Sequence, residues 1–276
     1  MTDRISVGDV VTGWTFEPAA AVVLVVAAGA YVGGVRRLAR RGRAWPAVRS
    51  LAWGVAIVTA VMATQSGLAR YDDERLTIHM VQHLLLGMAM PFAVVVAAPL
   101  TLILQSGRPG TRSLVRRCLN HPAARLVTHP VVTWGLFGGG LVALYLTPLL
   151  GLAARNEAVH LAVHAHLVVT GSLFLAGLVG ADPSPRPLAH GARLLAALTA
   201  VPFHAFLGLA MITASRPLAP QAYPSLSDQR TAAGLLWGMG ELFTVAVAAV
   251  VVRRWYVADQ RAAARADRRA DALLAP

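Results

Sequence analysis

IHMVQHLLLGMAMPFAVVVA, residues 78–97, decides how this chain folds. Its twenty residues include no Asp, Glu, Lys or Arg. That is the length an α-helix needs to cross about 30 Å of hydrocarbon. The run also holds two histidines four positions apart, His79 and His83. Both fold and function are read outward from these two facts.

The composition of this run recurs along the chain. Of the 276 residues, 56% are apolar and 14% charged, where a soluble domain carries about 25% charged residues. The charges sit in short clusters between apolar runs of roughly 20 residues. The expected fold is therefore all-α, a polytopic membrane protein with seven transmembrane helices. They fall at about 18–35, 50–68, 77–97, 129–148, 158–179, 194–214 and 231–252, in one membrane domain over 1–276. Pro99 is expected to end the third, leaving LTLILQ (100–105) at the interface.

All 25 basic residues are arginine, and they sort by loop. With the N-terminus outside, nineteen fall in inner segments: residues 36–49, 108–125, 186–193 and beyond 252. Cytoplasmic loops carry such an excess, so the expected orientation is N-terminus outside and C-terminus inside. Asp3, Asp9 and Glu17 precede the first apolar run with only Arg4, the reverse of a secretory signal peptide. The net charge of +12 has no basic stripe interleaved with aromatics, so no nucleic-acid partner is expected. The stretch TRSLVRRCLNHPAARL (111–126) reads as an amphipathic surface helix. The basic, alanine-rich tail 253–276 reads as a cytoplasmic helix lying along anionic lipid. A single cysteine, Cys118, excludes an internal disulfide. Gly135 with Gly139 and Gly234 with Gly238 have the small-xxx-small spacing that lets helices pack closely.

The second histidine pair is His160 and His164, in EAVHLAVHAHLVVTG (157–171). Residues four apart on a helix differ by about 40° in direction, so each pair shares a face. His166 points about 200° away from His164, toward another neighbour. The third and fifth segments both run inward, and both pairs lie at the same two depths near the outer face. If those helices are adjacent, four nitrogens converge. Imidazole suits copper, zinc, iron and nickel, and bis-histidine haem is a second use of the same pairs. A third possibility is a scaffold whose histidines only bridge helices. Deeper lie His204 and Glu241, near mid-bilayer, where a carboxylate is costly unless paired. A contact between them would satisfy both, as a structural pair, a proton relay or a means of orienting an imidazole. Asp72, Asp73, Glu74 and Glu157 form an acidic outer entrance. Neither pair is H-E-x-x-H, because Met80 and Leu161 stand where a zinc protease needs its glutamate.

HMVQHLLLGMAMPFAVVVAAPL (79–100), EAVHLAVHAHLVVTGSLFLAGLVGADP (157–183) and SDQRTAAGLLWGMGE (227–241) occur in that order. In these three motifs the chain resembles the CtaG family of bacterial cytochrome c oxidase assembly factors, over roughly 50–255. The resemblance implies a plasma-membrane protein needed to make an active haem–copper oxidase, with oxidase subunits and the lipid bilayer as partners. It carries over His79, His83, His160, His164, His204, Asp228, Gln229, Trp237 and Glu241. Asp228 and Gln229 would cap the last helix or close the mouth of the site. The expectation is a non-enzymatic factor binding copper through His79, His83, His160 and His164 and delivering it. A protein holding haem b on the same pairs is the alternative.

Overall fold

The computed structural model describes residues 7–274, so Asp3 and Arg4 lie outside the described residues. Among the described residues the chain is helical, with no strand. Helix α1 is Pro18–Ala39 and α2 is Ala47–Gln65. Each opens on a proline at or beside its first turn, where the missing N–H costs nothing. Gln65 ties the two together: its amide donates to the Glu17 carbonyl at 3.1 Å and accepts from the Glu17 N–H at 3.0 Å.

The central element is broken into pieces. Helix α3, Leu76–Leu84, passes into a π-helical turn at Leu85–Ala89 and then into α4, Met90–Ala97. Ala98 turns left-handed (φ 52°), and Pro99–Ser106 continues as α5. Asp182, from the proline-rich turn after the fifth apolar segment, secures this break. Its carboxylate accepts from the N–H groups of Leu100 and Thr101 at 3.0 and 2.7 Å and from the Thr101 hydroxyl at 2.6 Å. The helix thus breaks where Pro99 is expected to end it, and residues 100–105 form most of a short helix that closes a 31-residue apolar stretch. They pack on α1 through Leu102 and Ser106, while the carboxylate supplies the cap that the break requires.

The amphipathic helix expected over 111–126 is interrupted before Pro122 into α6, Pro109–Asn120, and a short helix at Pro122–Val127, neither of which buries a residue. Helix α7 is Pro130–Leu146, α8 is Glu157–Val179, α9 is His190–Leu198, α10 is Val201–Thr213 and α11 is Leu226–Leu274. Among the described residues six elements are long and apolar enough to cross a membrane; α7, with 17 residues, is a shorter apolar helix. The basic tail is helical, as expected, and as far as Leu274 it is continuous with the last apolar segment. Helix α11 runs through it without interruption, because no glycine or proline follows Gly240 before Pro276. The start of the tail is tucked under α8 by a bond from Arg254 to the Val179 carbonyl, and Trp255 stacks on His190.

Packing places α3, the π turn, α4, α8 and α11 at the centre, with α1 and α2 at the rim. One apolar cluster unites Leu76, Met80, Tyr145, Leu207, Met211, Tyr223 and Leu236; a second unites Met88, Phe137, Phe174, Leu178 and Val247. Between them, Gly171 of α8 sits so close to the Gly87 carbonyl that a Cβ there would overlap the oxygen. A π turn widens the helix and frees backbone groups from their regular pairing, and here it lets α8 approach.

The glycines expected to pack do not. A Cβ on Gly135, Gly139, Gly234 or Gly238 would meet nothing within 4 Å. Their neighbours are the packed ones: Gly138 against Phe203, Gly140 against His166 and Gly240 against His204. The four-residue spacing selected a face of each helix correctly formed for close approach, but the large rings presented by α8 and α10 select a different face.

Candidate metal centre

Helix α8 packs directly on the π turn and α4, and across the gap between α3 and α8 the two histidine ladders, running in the same order, meet rung for rung. The ring centres of His79 and His160 are 5.5 Å apart, and those of His83 and His164 are 5.4 Å apart. Along the helices the separations are 3.9 Å for His79 and His83 and 4.2 Å for His160 and His164. The four imidazoles expected to converge therefore do so. His79 and His83 are buried, and His160 and His164 are half-buried.

Tyrosines fix how the buried pair is turned. The Tyr223 hydroxyl lies 2.8 Å from the Asp72 carbonyl oxygen and 3.1 Å from His79 Nδ1. Its one proton goes to the carbonyl, which can only accept. His79 Nδ1 therefore donates to the tyrosine oxygen, and the lone pair is left on Nε2. Tyr145 stands 2.9 Å from His83 Nδ1 and 3.4 Å from the Met80 sulfur. A hydroxyl proton turned to the sulfur gives His83 the same tautomer. The Nε2 atoms of His79, His83 and His160 are buried and without a hydrogen-bond partner. Leaving such a group bare in an apolar interior costs about 1–3 kcal/mol. One ring nitrogen from each of these three histidines lies within 4.8 Å of the other two, close enough for one ion after small side-chain adjustments.

A second triad adjoins the first. Asp72, His160 and His164 likewise bring ligand atoms within 4.8 Å. Asp72 Oδ2 is 3.6 Å from His160 Nε2. Gln82, itself anchored by donating to the Ala63 carbonyl at 2.9 Å, presents its oxygen to His164 Nε2 at 3.2 Å. Burial pushes the Asp72 carboxyl up to about 7, with the nearby Asp73 charge adding to the rise and the Gln82 amide opposing it. Burial likewise pushes the Tyr223 phenol well above its ordinary value, so it remains a neutral hydroxyl.

The acidic entrance divides on inspection. Asp73, Glu74 and Glu157 are exposed, whereas Asp72 is buried and faces the histidines. Asp228 belongs to neither. Its carboxylate caps α3, accepting from the Leu76 N–H at 2.7 Å and the Thr77 hydroxyl at 2.6 Å. It thus caps the start of a different helix from its own, because α3 begins with unpaired N–H groups and lacks a capping side chain at Arg75. Gln229 is buried and links segments, accepting from the Leu218 N–H and donating to the Met211 carbonyl.

The deeper positions also differ from expectation. His204 and Glu241 do not bond each other: both His204 nitrogens and Glu241 Oε1 are buried without partners. Gly240, not Glu241, faces His204, because one residue along a helix turns about 100°. A narrow void, large enough for about one water, runs from His83 and Tyr145 to His204 between Met80, Met88, Phe137 and Leu236. His166 stands outside the cluster: its Nε2 is 3.3 Å from the Leu136 carbonyl, bridging α8 to α7. Its direction on α8 is opposite to that of His164, so the ring expected to orient a ligand or relay a proton points away from the four-histidine cluster. Sequence reasoning missed Tyr145, Tyr223 and Gln82. Gln82 lay one position from His83 within the charge-free run, a polar residue that called for a partner.

Residues 29–258 match the family described as cytochrome c oxidase caa3 assembly factor (Caa3_CtaG). The chain is 32% identical over 282 residues to the uncharacterized protein Mb0105 of Mycobacterium bovis and to the uncharacterized protein MT0111 of Mycobacterium tuberculosis. Each alignment covers 96% of this chain and 43% of the relative. It is 30% identical over 280 residues to the uncharacterized protein ML1998 of Mycobacterium leprae, covering 96% and 42%. The chain thus spans less than half the length of these relatives. No solved structure matches it. The chain belongs to the cytochrome c oxidase caa3 assembly factor (Caa3_CtaG) family.

Proposed function

We propose that this chain serves the assembly of a haem–copper cytochrome c oxidase by holding a copper ion on its converging histidines and passing it to an oxidase subunit in the bacterial plasma membrane. The observation that carries this reading is the pair of bare, buried Nε2 atoms on His79 and His83, each aimed by a tyrosine on Nδ1 and joined by His160 Nε2. Neutral imidazole is a good copper ligand. A hydrogen bond on the second ring nitrogen is how ligating histidines are ordinarily oriented. Delivery of an ion breaks no covalent bond, so the proposed role is not enzymatic.

Seven crossings with the N-terminus outside suit this role. The histidine ladders of α3 and α8 run in the same order, which supports a return crossing between them, and α7 is the apolar helix available. At 1.5 Å per residue its 17 residues rise about 26 Å, at the short end of a crossing. The arginine asymmetry then puts the histidine cluster near the outer face. Asp73, Glu74 and Glu157 stand exposed around its approach.

Copper is favoured over haem b by space. A porphyrin needs an open slot between two axial imidazoles. Here the four rings lie against one another, and the adjoining void has room for about one water. Metal content and an absorption spectrum of the purified full chain test the proposal together. The expected result is about one copper per chain, lost in a His79→Ala/His83→Ala/His160→Ala protein, with no Soret band. Copper retained in that variant, or a Soret band in the parent chain, would reject it.

A further inference from the structure

We propose that the cluster is two overlapping cation sites that share His160: an outer one built from Asp72, His160 and His164, and a deeper one built from His79, His83 and His160. This rests on the reading that the cluster binds a metal ion and divides that site into two positions.

The division follows from donors and burial. In each triad the ligand atoms lie within 4.8 Å of one another, and His160 is the common member. His160 and Asp72 keep side-chain exposures of 22% and 9%, whereas His79 and His83 are at 0% and 3% for the whole residue. The two triads stand at the same levels along the helices, and the one with Asp72 and His164 is outer in the sense of being the more accessible, so an arriving ion meets it first. The outer donor set is one carboxylate oxygen and two nitrogens, suited to a divalent borderline ion such as Cu²⁺ or Zn²⁺. The deeper set is three nitrogens.

Hydrogen bonds hold the two halves in different ways. Gln82 accepts from His164 Nε2–H, because its own N–H is committed to the Ala63 carbonyl. That leaves the His164 lone pair on Nδ1. Tyr145 and Tyr223 instead turn His83 and His79 so that Nε2 is free. Asp72 is fixed through its carbonyl by the same Tyr223 hydroxyl that fixes His79, so one tyrosine braces a member of each triad.

A neutral His160 has a single ring lone pair and can bind one ion at a time. The sites are consequently occupied in turn, and the ion moves by ligand exchange with no change of oxidation state. Asp72 and His164 release it as His79 and His83 take it, while His160 stays bound. Such a step gives a carrier a site that loads from outside and a site that shields the ion.

The test is electron paramagnetic resonance of the purified full chain with one equivalent of Cu²⁺. His79→Ala/His83→Ala should retain an ion with two nitrogen couplings and an oxygen donor. Asp72→Asn/His164→Ala should retain one with three nitrogen couplings. His160→Ala should lose at least tenfold in affinity at both positions. A copper-free result for either double variant that melts like the parent would overturn the proposal and leave a single site. A copper-free parent would instead remove the metal reading itself. Should a double variant not fold, the parent chain decides: freeze-quenched samples should pass from the two-nitrogen to the three-nitrogen spectrum, and one unchanging spectrum would contradict the exchange.

Discussion

The Tyr223 hydroxyl lies 3.1 Å from His79 Nδ1 while donating its own proton to the carbonyl of Asp72. A residue 144 positions downstream thus sets which nitrogen of His79 carries the lone pair. Tyr223→Phe removes that acceptor without changing the shape of the side chain. The buried Nδ1–H is left unpaired, and the ring loses its fixed tautomer. Copper affinity should fall by about 10–100-fold, the usual cost of losing such an orienting partner, with helix content unchanged by circular dichroism. Tyr145→Phe should act in the same direction through His83. Affinities equal to that of the parent would show that the tyrosines do not orient the ligands.

Gly171 permits the contact between α8 and the π turn. Its added Cβ would overlap the Gly87 carbonyl, a backbone atom that cannot swing aside. Gly171→Ala should separate the two ladders, lowering the melting temperature by several degrees and abolishing copper retention. Gly135→Ala, Gly139→Ala, Gly234→Ala and Gly238→Ala should each leave melting unchanged or raise it, by up to about 1 kcal/mol from helix propensity. Thermal melts of the five proteins distinguish the packed glycine from the unpacked ones.

Two remote aspartates cap the two halves of the central element. Asp228 caps the Leu76 end of α3, and Asp182 caps the Leu100 end of α5. Loss of a capping carboxylate costs about 0.5–2 kcal/mol, so Asp228→Ala and Asp182→Ala should both lower the melting temperature. Only Asp228→Ala should also weaken copper binding, because the first turn of α3 carries His79. Equal effects on copper would show that the fraying is not local.

His204 is fully buried with both ring nitrogens bare. A group in that state destabilises the fold by about 1–3 kcal/mol. His204→Leu should therefore raise the melting temperature. If the imidazole serves the copper site through the void that joins it to His83, the same change should reduce oxidase assembly in cells despite the firmer fold. A variant that is both less stable and fully active would mean that the imidazole is simply packed.

The sequence made the paired ladders legible because helix geometry is local: four residues return a side chain to the same face, and two segments of the same direction carried matched pairs. It did not make the neighbours legible. Tyr145 and Tyr223 are single tyrosines 62 and 144 residues from the imidazoles they hold, and no spacing rule links them. Asp228 read as a cap for its own helix because a cap is sought nearby, yet the unpaired N–H groups that needed it were 151 and 152 residues earlier. The glycine stretches GLFGGG and GLLWGMG offer several faces, and the side chains of Phe203, His166 and His204 chose among them. The break at Ala98 was signalled by Pro99, but its continuation as helix depended on Asp182, which no local pattern indicated.

X-ray absorption at the copper K-edge of the loaded, purified full chain tests the central claim most directly. The account predicts a first coordination layer dominated by imidazole nitrogens, with the outer-atom scattering typical of histidine rings. It also predicts loss of that signal in the His79→Ala/His83→Ala/His160→Ala protein. A shell of sulfur donors, or a copper environment that this variant leaves unchanged, would contradict it.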